Sequence, residues 1–200
     1  MRSCALLLLL AACASTRPVP VPVPVEATSG EVTQRGDTLV IQGTNGARLA
    51  LANVFQPETE TRVFRSYRFF SEIGMHLVQI DRYKGRSWLL VSARTTDQTP
   101  VLGRPVASPG RTRFAAAGLD LVAGYDPNGL QVWRMTEHGP QLEWGIDGGD
   151  QWGVSGLAWA SEDVLDFTRH DRTADPERTL QRRMRLTLAG PGLTLAPAPR

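Results

Sequence analysis

Short runs rich in β-branched, aromatic or alternating residues recur along this chain between turn residues, and no stretch keeps a helical period over three turns. Period-two runs bury one face only when they pair into sheets, so the pattern predicts an all-β fold built as an antiparallel meander. Segments 38–42 and 47–52 read as strands joined by Thr44-Asn45-Gly46, where the Asn-Gly pair suits a left-handed hairpin corner. Segments 75–83 and 87–92 form the best hairpin, with Lys84-Gly85 at its tip. A loop containing Pro100 precedes a strand at 113–117, and 130–136 with 141–146 make a further hairpin around Glu137-His138-Gly139-Pro140. Segments 156–160, 164–169 and 180–188 supply three more strands.

The first 25 residues follow a different logic. Met1 and Arg2 lead into an apolar core over 5–12, which is too short to anchor stably across a bilayer and has the order of a bacterial secretory signal. Leu10-Ala11-Ala12-Cys13 resembles the lipobox of bacterial lipoproteins. That resemblance implies cleavage after Ala12 and a diacylglyceryl thioether on Cys13, while an ordinary signal peptide cut around Ala12-Cys13-Ala14 is the alternative. Acyl chains contribute roughly 0.8 kcal/mol per buried methylene, so such a protein is held on the membrane without spanning it. Ala14 stands where an aspartate signals inner-membrane retention in many Gram-negative lipoproteins, so the resemblance implies the outer membrane, facing the periplasm. "PVPVPVPV" at 18–25 predicts an extended polyproline rod of about 25 Å, a stand-off between lipid and body.

These features divide the chain into a signal peptide at 1–12, a lipidated N-terminus and proline-rich spacer at 13–35, a single all-β domain at 36–190 and a flexible tail at 191–200. With Cys4 in the expected signal and Cys13 the lipid site that the resemblance implies, no disulfide or thiolate metal site is expected in the body. The formal charge of +2 gives no reason to expect a nucleic-acid surface. Lys84 is the only lysine, so the basic side chains are almost all arginine.

A weak internal echo runs through the body. Val106-Ala107-Ser108 precedes Phe114 by six residues, and Trp159-Ala160-Ser161 precedes Phe167 by six, each a strand end, a serine turn and an aromatic strand. "SPGRTRFAAA" at 108–117 resembles the S-P-D-G-x-x-[FIL]-A-[FV] blade motif of TolB-type and WD-repeat-like propellers, without its aspartate. The stretch "YRFFSEIGMHLVQIDRYKGRSWLLVSARTT" at 67–96, with "VLDFT" at 164–168, resembles bacterial exported proteins with blade-like repeats, a resemblance that implies no particular activity. A full blade takes about 40 residues, which allows at most about four. Propeller-like blades and a two-sheet β-sandwich both remain open.

Candidate chemistry is sparse. His76, His138 and His170 lie in separate segments without ligand-type spacing, and structural histidines are the expectation. "DGGDQWG" at 147–153 places Asp147 and Asp150 on a glycine-rich turn that lacks the further acids of a calcium loop. Trp144 and Trp152 flank that turn and are candidate binding residues that stack on a sugar or partner side chain. Trp88, Trp133 and Trp159 are expected in sheet cores. Asp126-Pro127-Asn128-Gly129 reads as a turn. "GVSG" at 153–156 is one residue short of a nucleophile elbow. The arginines of 178–188 read as the exposed face of a terminal strand. With no convergent catalytic set, no metal and no cofactor, the expectation is a membrane-anchored binding or assembly module for an envelope protein or glycan. The alternative is a periplasmic hydrolase acting on glycan or peptide.

Overall fold

The computed structural model describes residues 28–56, 60–175, 178–188 and 193–199. The expected signal peptide at 1–12, Cys13 and the proline run at 18–25 lie outside the described residues. Within them the protein is all-β, with fifteen strands and no helix.

Successive strands pair with one another, so each sheet is a local antiparallel meander. The first sheet holds β1 (Glu31–Arg35), β2 (Thr38–Gln42) and β3 (Arg48–Ala52). The second holds β4 (Arg62–Phe70), β5 (Met75–Arg82), β6 (Arg86–Ser92) and β7 (Gln98–Val101). The third holds β8 (Val106–Ala107), β9 (Arg113–Gly118), β10 (Gly129–Thr136) and β11 (Gly139–Asp147). The fourth holds β12 (Trp152–Ser161), β13 (Val164–Arg172), β14 (Thr179–Thr187) and β15 (Thr194–Pro197). Four blade-like sheets of three or four strands are therefore present, with no closed barrel among the described residues.

Alternation along the strands builds three cores between neighbouring sheets. Leu39 and Ile41 of β2 meet Val78, Leu89 and Val91 between the first and second sheets. Met75, Leu77 and Leu90 meet Phe114, Ala116 and Met135 between the second and third. Leu130 and Val132 meet Val154, Leu165, Phe167 and Leu186 between the third and fourth. The sheets thus stack in chain order, and each fully buried Leu, Ile or Phe contributes roughly 1.5 to 3 kcal/mol. The two aromatics of the internal echo end in successive cores, Phe114 in the second and Phe167 in the third.

The registers give the stack two ends. At the upper end lie the β5–β6 turn at 83–85, the loop 119–128 and the turn 148–151. Asp126 joins the second and third sheets there by accepting the N–H of Arg86. At the lower end the N–H of Thr44 donates to Ala93 O at 2.9 Å, Arg94 Nη2 donates to Glu137 O at 3.3 Å, and Ser108 donates to Glu162 at 2.8 Å. The N-terminal chain also arrives at the lower end, where His76 donates to the carbonyl of Ser29.

The predicted strands are present, and others were not read from sequence. Residues 31–35, assigned to the spacer, pair with β2, and residues 194–197, assigned to a flexible tail, pair with β14. Sheet formation therefore spans 31–197 among the described residues. Pro100 and Pro197 both sit in outermost strands of their sheets, β7 and β15, where a missing N–H costs no ladder bond inside the sheet. No helix of the described residues is long and apolar enough to cross a membrane.

Candidate functional site

The four binding residues suggested by sequence fall together near the upper end. Trp144 and Asp147 are on β11, Asp150 is in the following turn, and Trp152 opens β12. Both indoles are half-buried against the core between the third and fourth sheets, so packing takes much of their surface. The Arg169 guanidinium lies 4.6 Å from the centroid of the Trp152 ring. Asp147 accepts the N–H of Gly149 at 2.8 Å, closing its own turn. Asp150 accepts the Gln151 side-chain amide at 2.8 Å, which with its own backbone N–H holds this exposed carboxyl below the usual range. Gly148 is required in the turn because a Cβ there would meet Trp152 O at 1.9 Å. Each carboxylate thus serves its own local bond. No group of three His, Cys, Asp or Glu side chains is placed to hold a metal among the described residues.

Beside this turn, the loop 119–128 is built around Asp120, which the sequence did not single out, and Asn128, read from sequence only as part of a turn. Asp120 accepts the N–H groups of Ala123, Tyr125 and Asp126 at 3.0, 2.8 and 3.0 Å. Partial burial opposes ionisation of Asp120, but these backbone donors outweigh it and hold its carboxyl below the ordinary range. Asn128 is 4% exposed and donates to Asp120 O at 3.2 Å and Gly149 O at 2.8 Å, locking the loop to the Asp147 turn. A rigid loop results. It presents Leu119, Val122 and Tyr125 to solvent, with Val122 81% exposed. Lys84 lies 5.4 Å from the Tyr125 ring and 5.7 Å from Tyr83, so its charge sits between two exposed aromatics. Phe55, in the loop that follows β3, is exposed at the same end.

The histidines separate as expected, with one exception. His76 is 3% exposed, and burial lowers its pKa against the raising effect of the Ser29 bond. His138 stands at the lower hairpin tip, its side chain 88% exposed. His170 lies on the outer face of the fourth sheet with Nε2 2.7 Å from Ser155 Oγ, the serine of "GVSG". Sequence reading kept these two apart because they are on different strands. The register Gly153↔His170 and Ser155↔Thr168 makes them diagonal neighbours. Thr179 Oγ1 stands 3.5 Å from the other ring nitrogen, Nδ1. Asp171 points to the opposite face, beside Arg169 at 2.6 Å and Arg182 at 3.6 Å. A hydroxyl and an imidazole are therefore adjacent, with a second hydroxyl rather than a carboxylate at the far ring nitrogen.

A shallow cavity of about 240 Å³ opens on the outer face of the first sheet, lined by Glu31, Thr33, Arg35, Val40, Gln42 and Arg48. It holds one carboxylate and two guanidiniums.

No family model matches the chain, and neither the curated proteins nor the solved structures include a match.

Proposed function

We propose that the protein is a lipid-anchored lipoprotein of the bacterial envelope whose β body binds an envelope component, a protein or a glycan, through its upper end. One observation carries this reading. Phe55, Tyr83, Leu119, Val122 and Tyr125 are exposed at the end opposite the point where the N-terminal chain meets the body at Ser29. Leu119, Val122 and Tyr125 share one hydrogen-bonded loop and Tyr83 stands beside Tyr125 across Lys84, and exposed apolar residues gathered in this way mark a recognition surface. An eight-residue strand such as β5 is about 26 Å long, so a tether from Cys13 reaches one end and leaves the other free. The basic and apolar N-terminal segment, the small residues before Cys13 and the proline run support the anchor.

The anchor is tested by mass spectrometry and fractionation of the native product. The expected results are a diacylglyceryl adduct on Cys13 and release of Cys13→Ser from the membrane fraction. An unmodified thiol, or a variant that still fractionates with membranes, contradicts the anchor.

A periplasmic hydrolase is the second reading, favoured specifically by the 2.7 Å approach of Ser155 Oγ to His170 Nε2. In that case His170 accepts the Ser155 hydroxyl proton as the oxygen attacks an acyl carbon.

A further inference from the structure

Where the gap between the second and third sheets opens toward the upper end, its apolar lining gives way to a set of arginines on aromatic rings. Tyr67 interrupts β4 at a bulge between Ser66 and Arg68 and meets Trp88 edge to face, with centroids 5.3 Å apart. The Arg104 guanidinium lies 4.5 Å from the Tyr67 centroid and 5.9 Å from that of Trp88, and Arg86 lies 5.7 Å from Trp88. The turn carrying Arg104 is fixed in place. Leu102 N–H donates to Gln131 Oε1 at 3.1 Å, Pro105 is buried, and a Cβ on Gly103 would meet Ala117 O at 2.2 Å.

The charges do not balance within this group. Asp81 serves Arg65 at 3.0 Å, Arg86 at 3.4 Å and the Gln79 amide at 2.6 Å, which occupies its oxygens. The Asp126 carboxylate faces the Arg86 backbone N–H. Arg104 has no carboxylate within ion-pair distance among the described residues. Neither the Trp88 indole N–H nor the Tyr67 hydroxyl has a hydrogen-bond partner among the described residues. The group is rich in donors, poor in free acceptors and rigid, and a guanidinium fork held on an aromatic face is pre-organised for an oxyanion.

We propose that Arg104 and Arg86, framed by Tyr67 and Trp88, bind the carboxylate or phosphate of an anionic glycan. The donor excess selects the class of ligand. An oxyanion takes the guanidinium donors, and the hydroxyl and ring oxygens of a glycan add acceptors for the Trp88 indole N–H and the Tyr67 hydroxyl beside it. The assignment rests on the envelope-binding reading and names the ligand for the same end of the body.

The test uses the full-length acylated protein in detergent micelles with 5-fluorotryptophan at its five tryptophans. Tetragalacturonate, its methyl ester and inorganic phosphate are titrated by calorimetry and by ¹⁹F resonance. Tetragalacturonate is expected to bind and move the Trp88 resonance, and the uncharged ester to bind at least about tenfold more weakly. Arg104→Ala is expected to lose about tenfold or more in affinity, while its other four fluorotryptophan signals report an intact fold. Phosphate that competes at the Trp88 resonance supports the oxyanion site, and phosphate binding without tetragalacturonate binding overturns the glycan assignment. Equal affinity for the ester, a silent Trp88 or an unaffected Arg104→Ala overturns the site. Because these titrations need no partner protein, their failure leaves capture through the Val122 loop standing and separates the two claims.

Discussion

The Glu162 carboxylate accepts a hydrogen bond from Ser108 at 2.8 Å, clamping the β12–β13 turn of the fourth sheet onto the β8–β9 turn of the third. The same carboxylate accepts Gly110 N–H at 2.6 Å and the Thr112 hydroxyl. Beside it Arg113, 7% exposed, bridges Glu143 at 2.7 Å and Asp163 at 2.8 Å. The two serine turns of the internal echo are thus partners in one latch.

Replacing Glu162 with Gln removes the charge-assisted bonds and is expected to cost about 1 to 3 kcal/mol, read from urea unfolding at neutral pH. Partial burial opposes ionisation of Glu162, but Thr112, Ser108, Gly110 and the Arg113 charge outweigh it, so its folded pKa lies below the ordinary 4.5. The carboxylate's stabilisation is therefore present above that value and lost as pH falls through the lower folded one. Glu162→Gln should flatten this acid limb. An unchanged urea midpoint at neutral pH contradicts the latch.

His76 gives a second, milder pH dependence. Its folded pKa lies below 6.5, so the neutral ring is the folded form, and its stabilisation is complete above that value. Stability should fall as pH drops from about 7.5 toward 5, because the unfolded chain takes up the proton first. Thermal unfolding of His76→Gln should lose much of that slope. A slope identical to that of the parent protein refutes the assignment.

Asn128 ties the 119–128 loop to the Gly149 carbonyl, so Asn128→Ala leaves the partly buried Asp120 and Gly149 carbonyls without this donor. The expected cost is about 1 to 3 kcal/mol, and hydrogen exchange should quicken in 119–128 and 148–151 before it does in β5. Uniform acceleration across the molecule argues against a locally locked loop.

Ser155 and His170 separate the two functional readings. A fluorophosphonate probe is expected to leave Ser155 unlabelled, since Thr179 rather than a carboxylate stands at Nδ1 of His170. A covalent adduct on Ser155 that disappears in His170→Ala favours the hydrolase instead.

Local pattern was enough for much of the fold. The hairpin at 75–92 shows β-rich runs with Gly85 at φ +81° in its turn, and Asn45 closes its own turn by accepting Ala47 N–H at 2.9 Å. β4 was hidden because Arg62, Arg65 and Arg68 interrupt its apolar run and the bulge at Tyr67 shifts the alternation. β1 and β15 are short outer strands whose pairing depends on their neighbours, and Pro197 disguises the second. For the site, two glycines announced the Asp147 turn. Nothing local announced Arg104 on Tyr67 and Trp88, since those residues come from three segments that meet only when the sheets stack. Ser155 and His170 likewise meet only through register.

Photocrosslinking in intact cells addresses the central claim most directly, with p-benzoylphenylalanine placed singly at Val122 or His138. Both positions are highly exposed, Val122 at 81% and the His138 side chain at 88%, and they lie at opposite ends of the body. An upper recognition end predicts a discrete adduct to an envelope component from position 122 and none from position 138. Adducts of equal yield at both positions, or none at position 122, would contradict it.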